Sequence, residues 1–364
     1  MSTARTAAAL PSSLTDYRLL GRSGLRVSPL SLGAMTFGTD WGWGADEAEA
    51  RRIFDAYVER GGNFIDTANQ YTGGTSERLV GQFAQGRRDE LVIATKYTLT
   101  ARPKDPNAGG NQRKSMVRSV EDSLRKLDTD YIDLLYLHAW DETTPVEEVL
   151  RAMDDLVRAG KLVYVGISDT PAWQVARMQA IADLRGWSPL IALQIQYSLI
   201  ERTVERDLMP MARELGLGVV PWSPLGMGVL TGKYSRADLD LGAGVPEAVG
   251  TRKNVAASHG ALTPRALDIA DAVKQVASEL GKTPAQVALA WTLLDPAVAS
   301  PIVGVRTLAQ LEDNLGALEV RFSEEQRARL DEASRIELGF PHDFLKSPMV
   351  RGVMFGEVTP PLRG

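Results

Sequence analysis

At 364 residues the chain is long enough for one large α/β domain or two smaller ones, and 44% hydrophobic content supplies a sizeable core. Its 41 basic and 46 acidic residues leave a formal charge of −5, which argues against a nucleic-acid-binding surface. There is no cysteine, so disulfides, thiolate chemistry and cysteine-ligated metal centres are excluded; His138, His259 and His342 show no metal-ligand spacing.

The first sixteen residues, MSTARTAAALPSSLTD, have too short an apolar run for a signal peptide and are too polar for a membrane span. They read as a mobile tail, and the default expectation is a soluble cytoplasmic protein without membrane or nucleic-acid partners. YRLLGRSGLRVS (17–28) predicts a hairpin turning at Ser23-Gly24. Apolar runs then alternate with amphipathic helical stretches. VSPLSLGAM precedes a helix capped by Asp46 and ended by Gly61, and NFIDTA precedes SERLVGQFAQ. ELVIATKY leads to KSMVRSVEDSLRKLD, YIDLLYLH to PVEEVLRAMDDLVRAGK, and LVYVGIS to TPAWQVARMQAIADLRG. IALQIQY leads to VERDLMPMARELG, LGVVPWS to a long Gly/Pro-containing segment and two helical stretches around 264–294, and SPIVGV to TLAQLEDNLGAL.

Eight strand-like runs, each followed by helix and each nearly continuously apolar, predict strands buried on both faces. Eight such units in one chain predict a closed (β/α)8 TIM barrel, with the hairpin as a lid on its N-terminal end and an extra helix at its C-terminus. One barrel domain is expected over 17–340, with a C-terminal extension over 341–364. The connection over 232–263 is too long for an ordinary loop. An open doubly wound sheet is the alternative, but no G-x-G-x-x-G follows any strand. GMGVLTGK (226–233) narrowly misses a phosphate-binding P-loop, with Met227 where its first glycine belongs and Tyr234 where Ser or Thr should follow the lysine.

Catalytic groups of such barrels sit at the C-terminal ends of the strands. Those positions hold Asp66 after the second run, Lys96 in the third and His138 after the fourth, with Tyr71 on the loop beyond Asp66. Singly, each has a structural reading: a helix cap, a solvated strand end, a core histidine, a loop anchor. Four titratable groups converging on one rim favour chemistry.

In order and strand position, Asp66, Tyr71, Lys96 and His138 resemble the catalytic tetrad of the aldo-keto reductases. The resemblance runs from GRSGLRVSPLSLGAMTFG to PIVGVRTLAQLEDNLGALEV. DETTPVEEVLRAMDDLVRAGKLVYVGIS is similar to the branch that includes aryl-alcohol-dehydrogenase-like reductases and potassium-channel β subunits. It implies reversible reduction of an aldehyde or ketone, with Tyr71 as general acid. Lys96 is expected to lower the phenol's pKa from about 10. Asp66 would pair with the lysine, and His138 would bond the substrate oxygen.

The resemblance also implies a nicotinamide cofactor, NADPH/NADP+. Ser168, Asp169 and Gln194 would bind its carboxamide, although the family usually has Ser-Asn where this chain has Ser168-Asp169. Trp222 would stack on the ring. Ser223, Leu225, Gly228 and Lys233 would hold the pyrophosphate. Arg306 would take the 2′-phosphate, with Gln310, Asp313 and Asn314 around the adenosine. A guanidinium at a helix N-terminus is unfavourable without an anion, which favours NADPH over NADH. Trp41, Trp43 and Trp140, on rim loops, suggest a pocket for an apolar or aromatic aldehyde, or a sugar, unless they pack on one another. Two other readings stay open: a cofactor-binding regulatory protein with slow turnover, like the channel β subunits, and a barrel enzyme for phosphorylated metabolites. His138 weighs against the first, since the resemblance implies asparagine there in those proteins. An oligomer is possible.

Overall fold

Each of the eight apolar runs becomes a strand in the computed structural model, which describes residues 10–100, 102–239 and 256–358. Residues 1–9 of the expected tail, 240–255 of the expected long connection and 359–364 of the expected C-terminal extension lie outside the described residues. A two-stranded hairpin, β1 (Arg18–Leu19) and β2 (Arg26–Val27), comes first. The barrel strands follow: β3 (Ser31–Gly33), β4 (Phe64–Asp66), β5 (Val92–Tyr97), β6 (Ile132–Leu137), β7 (Leu162–Ser168), β8 (Leu190–Gln196), β9 (Gly218–Trp222) and β10 (Ile302–Gly304).

All pairings in the eight-stranded sheet are parallel, in the order β10-β3-β4-β5-β6-β7-β8-β9. Closure is made just ahead of β10. Val219 of β9 donates to the Ala297 carbonyl at 2.8 Å and accepts from Ala299 N–H at 2.8 Å, which leaves no open edge between the last two strands.

The helices start where the sequence signals them. Asp46 accepts from Glu49 N–H at the head of Glu47–Glu59, and Thr263 and Thr307 cap Pro264–Leu280 and Leu308–Leu315 in the same way. Each such cap contributes about 1 kcal/mol. The helices bury their apolar faces against the outside of the strands in one continuous core.

A second apolar layer fills the barrel itself. Leu20 and Val27 of the hairpin pack there with Phe64, Ala94, Tyr136, Ala192 and Val220. A side chain at Gly166 would lie 2.6 Å from the Tyr136 ring, so only glycine admits that ring. The hairpin is therefore a plug on the N-terminal end, as expected.

Within residues 10–16, Asp16 accepts from Ser12 and Ser13, and Leu14 is buried. Among the described residues the C-terminal end carries Glu324–Ser334 and then two shorter helices, His342–Lys346 and Pro348–Phe355. No helix among the described residues is long and apolar enough to cross a membrane.

Candidate active site

Strand alternation decides what faces the barrel's interior. Phe64, Ala94, Tyr136, Ala192 and Val220 belong to the inner apolar layer. Two residues further along, the same face carries Asp66, Lys96, His138, Gln194 and Trp222 at the C-terminal rim. The switch from apolar to polar happens in a single step of the alternation.

Lys96 is completely buried, and its Nζ donates to Asp66 Oδ1 at 2.5 Å, the Thr67 carbonyl at 2.8 Å and the Tyr71 hydroxyl oxygen at 3.3 Å. These are the three donors an ammonium has, so the lysine is fully satisfied without water. Asp66 uses its second oxygen to accept from Gln194 Nε2 at 2.8 Å. Tyr71 sits on a short turn, Tyr71–Gly74, that also carries Thr72, whose Oγ1 donates to the Phe37 carbonyl at 2.8 Å and pins the turn to the rim. Because an ammonium accepts nothing, the Tyr71 O–H is left to donate away from Lys96.

Burial pushes the Tyr71 phenol above its ordinary value, and the neighbouring Lys96 charge works against that rise. The expectation of a lowered phenol pKa is therefore corrected: Lys96 acts in the expected direction, but desolvation outweighs it. Burial alone would push Lys96 down; Asp66 and Tyr71 reverse this and leave its ammonium stabilised. His138 is driven down to about 3 by burial and by the Lys96 charge, so its imidazole is neutral at working pH. Its Nδ1 is buried without a partner, and its ring meets Tyr71 edge-on at 5.9 Å between centroids.

These groups open onto a cleft of about 1250 Å³, larger than the roughly 300–1,000 Å³ of a pocket for one drug-sized molecule. Asp66, Tyr71 and His138 line it, with Lys96 directly behind. Ser168, Asp169, Gln194 and Trp222 also line it, as do Ser223, Leu225, Gly228 and Lys233 and, from the segment after β10, Arg306, Gln310, Asp313 and Asn314. Trp41 and Trp43 line the mouth near Tyr71, with ring centroids 5.7 Å apart, and Trp41 meets Tyr71 edge-on at 6.4 Å. Trp140 is the exception, for it packs against the main core and is absent from the lining.

Asp169, held at φ +36°, accepts from the Trp222 indole N–H at 3.0 Å. Burial raises the Asp169 carboxyl, with the Trp222 bond and the Lys96 charge opposing the rise. One of its oxygens is thus engaged by an indole. Ser168 Oγ is buried with no partner. The wall from Ser223 to Gly228 takes positive φ at Ser223, Gly226, Met227 and Gly228, a curled backbone that brings a Cβ placed on Gly228 within 3.1 Å of Lys233 Nζ. Arg306 is exposed beside the N-terminus of Leu308–Leu315, with no ion pair or side-chain hydrogen bond among the described residues. Gln310 Oε1 accepts from Arg306 N–H at 2.9 Å, and Asp313 accepts from Thr283 and Gln286, bracing the start of Pro284–Thr292 against the last turn of Leu308–Leu315.

Some lining residues were not legible beforehand. Asp40, Gln70 and Leu99 follow strand ends and could have been found by position alone. His259 and Thr283–Ala285 reach the cleft through tertiary packing of distant segments, for which no local signal exists. Among the described residues no cluster of histidine and acidic side chains could hold a metal ion.

Residues 29–335 match a family model described as the aldo/keto reductase family. Norsolorinic acid reductase of Aspergillus flavus is 38% identical over 353 residues, covering 93% of this chain and 86% of that protein. Aryl-alcohol dehydrogenase [NADP(+)] of Phanerodontia chrysosporium is 37% identical over 348 residues, covering 91% and 89%. An uncharacterized oxidoreductase of Bacillus subtilis is 39% identical over 322 residues, covering 85% and 93%.

Proposed function

The chain belongs to the aldo/keto reductase family and is an oxidoreductase, and from that premise we propose that it reduces an aldehyde or ketone reversibly with NADPH, Tyr71 giving the carbonyl oxygen its proton. One observation carries this reading: the Asp66–Lys96–Tyr71 chain ends in the same cleft that holds Trp222, the partnerless Ser168 hydroxyl and the unpaired Arg306 guanidinium.

The donor set suits NADPH. The Ser168 hydroxyl and Gln194 would hold the nicotinamide amide, the curled wall from Ser223 to Gly228 with Lys233 would hold the pyrophosphate, and Arg306 would hold the 2′-phosphate. A name among the relatives, aryl-alcohol dehydrogenase [NADP(+)], agrees with that choice. When bound, this cofactor supplies hydride for the carbonyl carbon.

The chain's own residues handle the proton and the positioning. A phenol held above its ordinary pKa is protonated throughout the neutral range, as an acid must be before it acts. As negative charge leaves the carbonyl oxygen for the phenol, Lys96 at 3.3 Å stabilises the phenolate that forms. Asp66, Thr67 and Gln194 keep the ammonium aimed at that oxygen. A neutral His138 with its proton on Nε2 would donate to the same substrate oxygen. Asp169 fixes the rotation of the Trp222 indole, and Trp41 and Trp43 would favour an apolar or aromatic substrate at the mouth.

The test is direct. Purified protein given NADPH and a panel of aromatic and aliphatic aldehydes should consume NADPH with several of them, and more slowly with NADH at matched concentration. No turnover across the panel, or no preference between the cofactors, would overturn the reading.

A further inference from the structure

The apolar C-terminal segment stands outside everything described so far. It begins where the match to the family model stops, at residue 335. Its root is fastened: Arg265 donates to the Arg335 carbonyl at 2.7 Å, Arg206 to the Glu337 carbonyl at 2.8 Å, and His342 lies 3.3 Å from Asp207. Beyond that root the chain makes two short helices, the second of them with a capped start. Gly339 N–H is bonded by Asp343, while Ser347 caps the second helix and Pro348 opens it. Local sequence therefore specifies the second helix as it does those of the barrel.

Among the described residues the two helices pack on each other and on little else. Neither His342–Lys346 nor Pro348–Phe355 buries a single residue. Phe340, Phe344, Leu345, Met349, Val353 and Met354 are 49–84% exposed. Phe340 and Phe344 touch each other, with centroids 6.0 Å apart, and both stay exposed. Large apolar side chains in this number belong in an interior, and helices of five and eight residues do not hold in water by themselves.

Size and charge identify the cover. At roughly 200 Å² per large side chain, those six expose on the order of 800 Å². That exceeds the ~300–600 Å² of the largest patch on a typical monomer and matches the ~800 Å² each partner gives to a standard interface. Between residues 338 and 356 the charged side chains are Asp343, Lys346 and Arg351, apart from His342. A helix that lies on an anionic bilayer carries a basic face; this one has two separated bases and an acid. A surface with almost no charge offers a different protein little to recognise but is complementary to itself, as a two-fold interface requires.

We propose that the segment from Phe340 to Phe355 is a self-association surface, covered in solution by the same segment of a second copy of this chain. The two apolar helix pairs pack face to face across a two-fold axis, and each barrel keeps its own cleft.

The experiment uses the full chain and light scattering after size-exclusion chromatography, from micromolar concentration upward. The parent should elute with the mass of a dimer, and Met349→Glu/Val353→Glu with the mass of a monomer. Both sites are exposed and far in sequence from the cleft residues, so the variant should keep the parent's thermal midpoint and its NADPH turnover. A monomeric parent at every concentration overturns the proposal, as does a double variant that stays dimeric. Sedimentation of the parent, but not the variant, with phosphatidylcholine–phosphatidylserine vesicles also overturns it, by identifying a lipid surface as the cover.

Discussion

The two ends of the barrel are made from the same strands on the same interior face, yet they behave as different materials. At the N-terminal end Phe64, Ala94, Tyr136 and Val220 pack under the hairpin residues Leu20 and Val27 with no charge among them. Two residues along, Asp66, His138 and Trp222 face a cleft with Lys96 behind them, and the lysine and aspartate are a buried ion pair. The apolar end stabilises the fold in proportion to the area it removes from water. The polar end pays desolvation for every charge and tolerates it only because each donor of Lys96 and each oxygen of Asp66 has a partner. The difference separates two jobs: one end holds the barrel closed, and the other keeps a proton-transfer group in one fixed environment.

Substitutions at the two ends should therefore fail in opposite ways, and Lys96→Met is the most severe. It leaves Asp66 buried without its countercharge, for a stability loss of roughly 3–5 kcal/mol, and turnover should vanish in the protein that remains folded. Leu20→Ala, at the apolar end, should cost a comparable ~2–5 kcal/mol while kcat per folded molecule stays at the parental value. Urea unfolding beside single-turnover assays reads both quantities. If Leu20→Ala impairs chemistry as much as stability, the two ends are not independent.

A smaller effect is expected elsewhere in the cleft. Arg306→Ala should weaken NADPH binding by about 1.5–3 kcal/mol, ten- to over a hundredfold, and NADH binding far less. Paired fluorescence titrations measure this, and added salt should erode the parent's preference but not the variant's. Equal losses for both cofactors would mean that Arg306 acts on the helix behind it, Leu308–Leu315, rather than on a phosphate.

An effect seen only at acid pH tests the buried histidine. With its folded-state pKa pushed down to about 3 from an ordinary 6.5, neutral His138 contributes stability that is complete above about pH 6.5. That contribution fades as pH falls toward 3, because the unfolded chain takes up the proton first. His138→Gln should flatten the pH dependence of unfolding free energy across that window. In the parent, carbonyl reduction should show no inflection near pH 6.5. A parental slope in the variant would place His138 in a wetter environment than the one described.

Much of this was written in the sequence, and for a physical reason. A strand buried on both faces must be apolar almost throughout, so Asp66 and His138 at the ends of such runs, and Lys96 inside one, announce themselves. The cap at Asp46 is a local signal and was equally readable, whereas the caps at Thr263 and Thr307 came from the structure. Balances between opposing terms were not. The sequence places Lys96 beside Tyr71, but only the packed structure shows desolvation outweighing the lysine's charge. Nor could the sequence show that Asp169 is engaged by Trp222, that Gln194 braces Asp66, or that Trp140 turns to the core. Each depends on which of several nearby partners a side chain meets, and that is settled by tertiary distance.

The most direct measurement of the central claim is Tyr71→Phe, read twice on the same sample. Removing one hydroxyl from the polar end while leaving its ion pair in place should lower the turnover number for aldehyde reduction by about 10²–10⁴-fold. NADPH affinity, measured by fluorescence titration, should stay near the parental value. Parental turnover in the Phe variant would contradict the account, because the proton would then come from another group and the Asp66–Lys96–Tyr71 chain would have no part in the reaction.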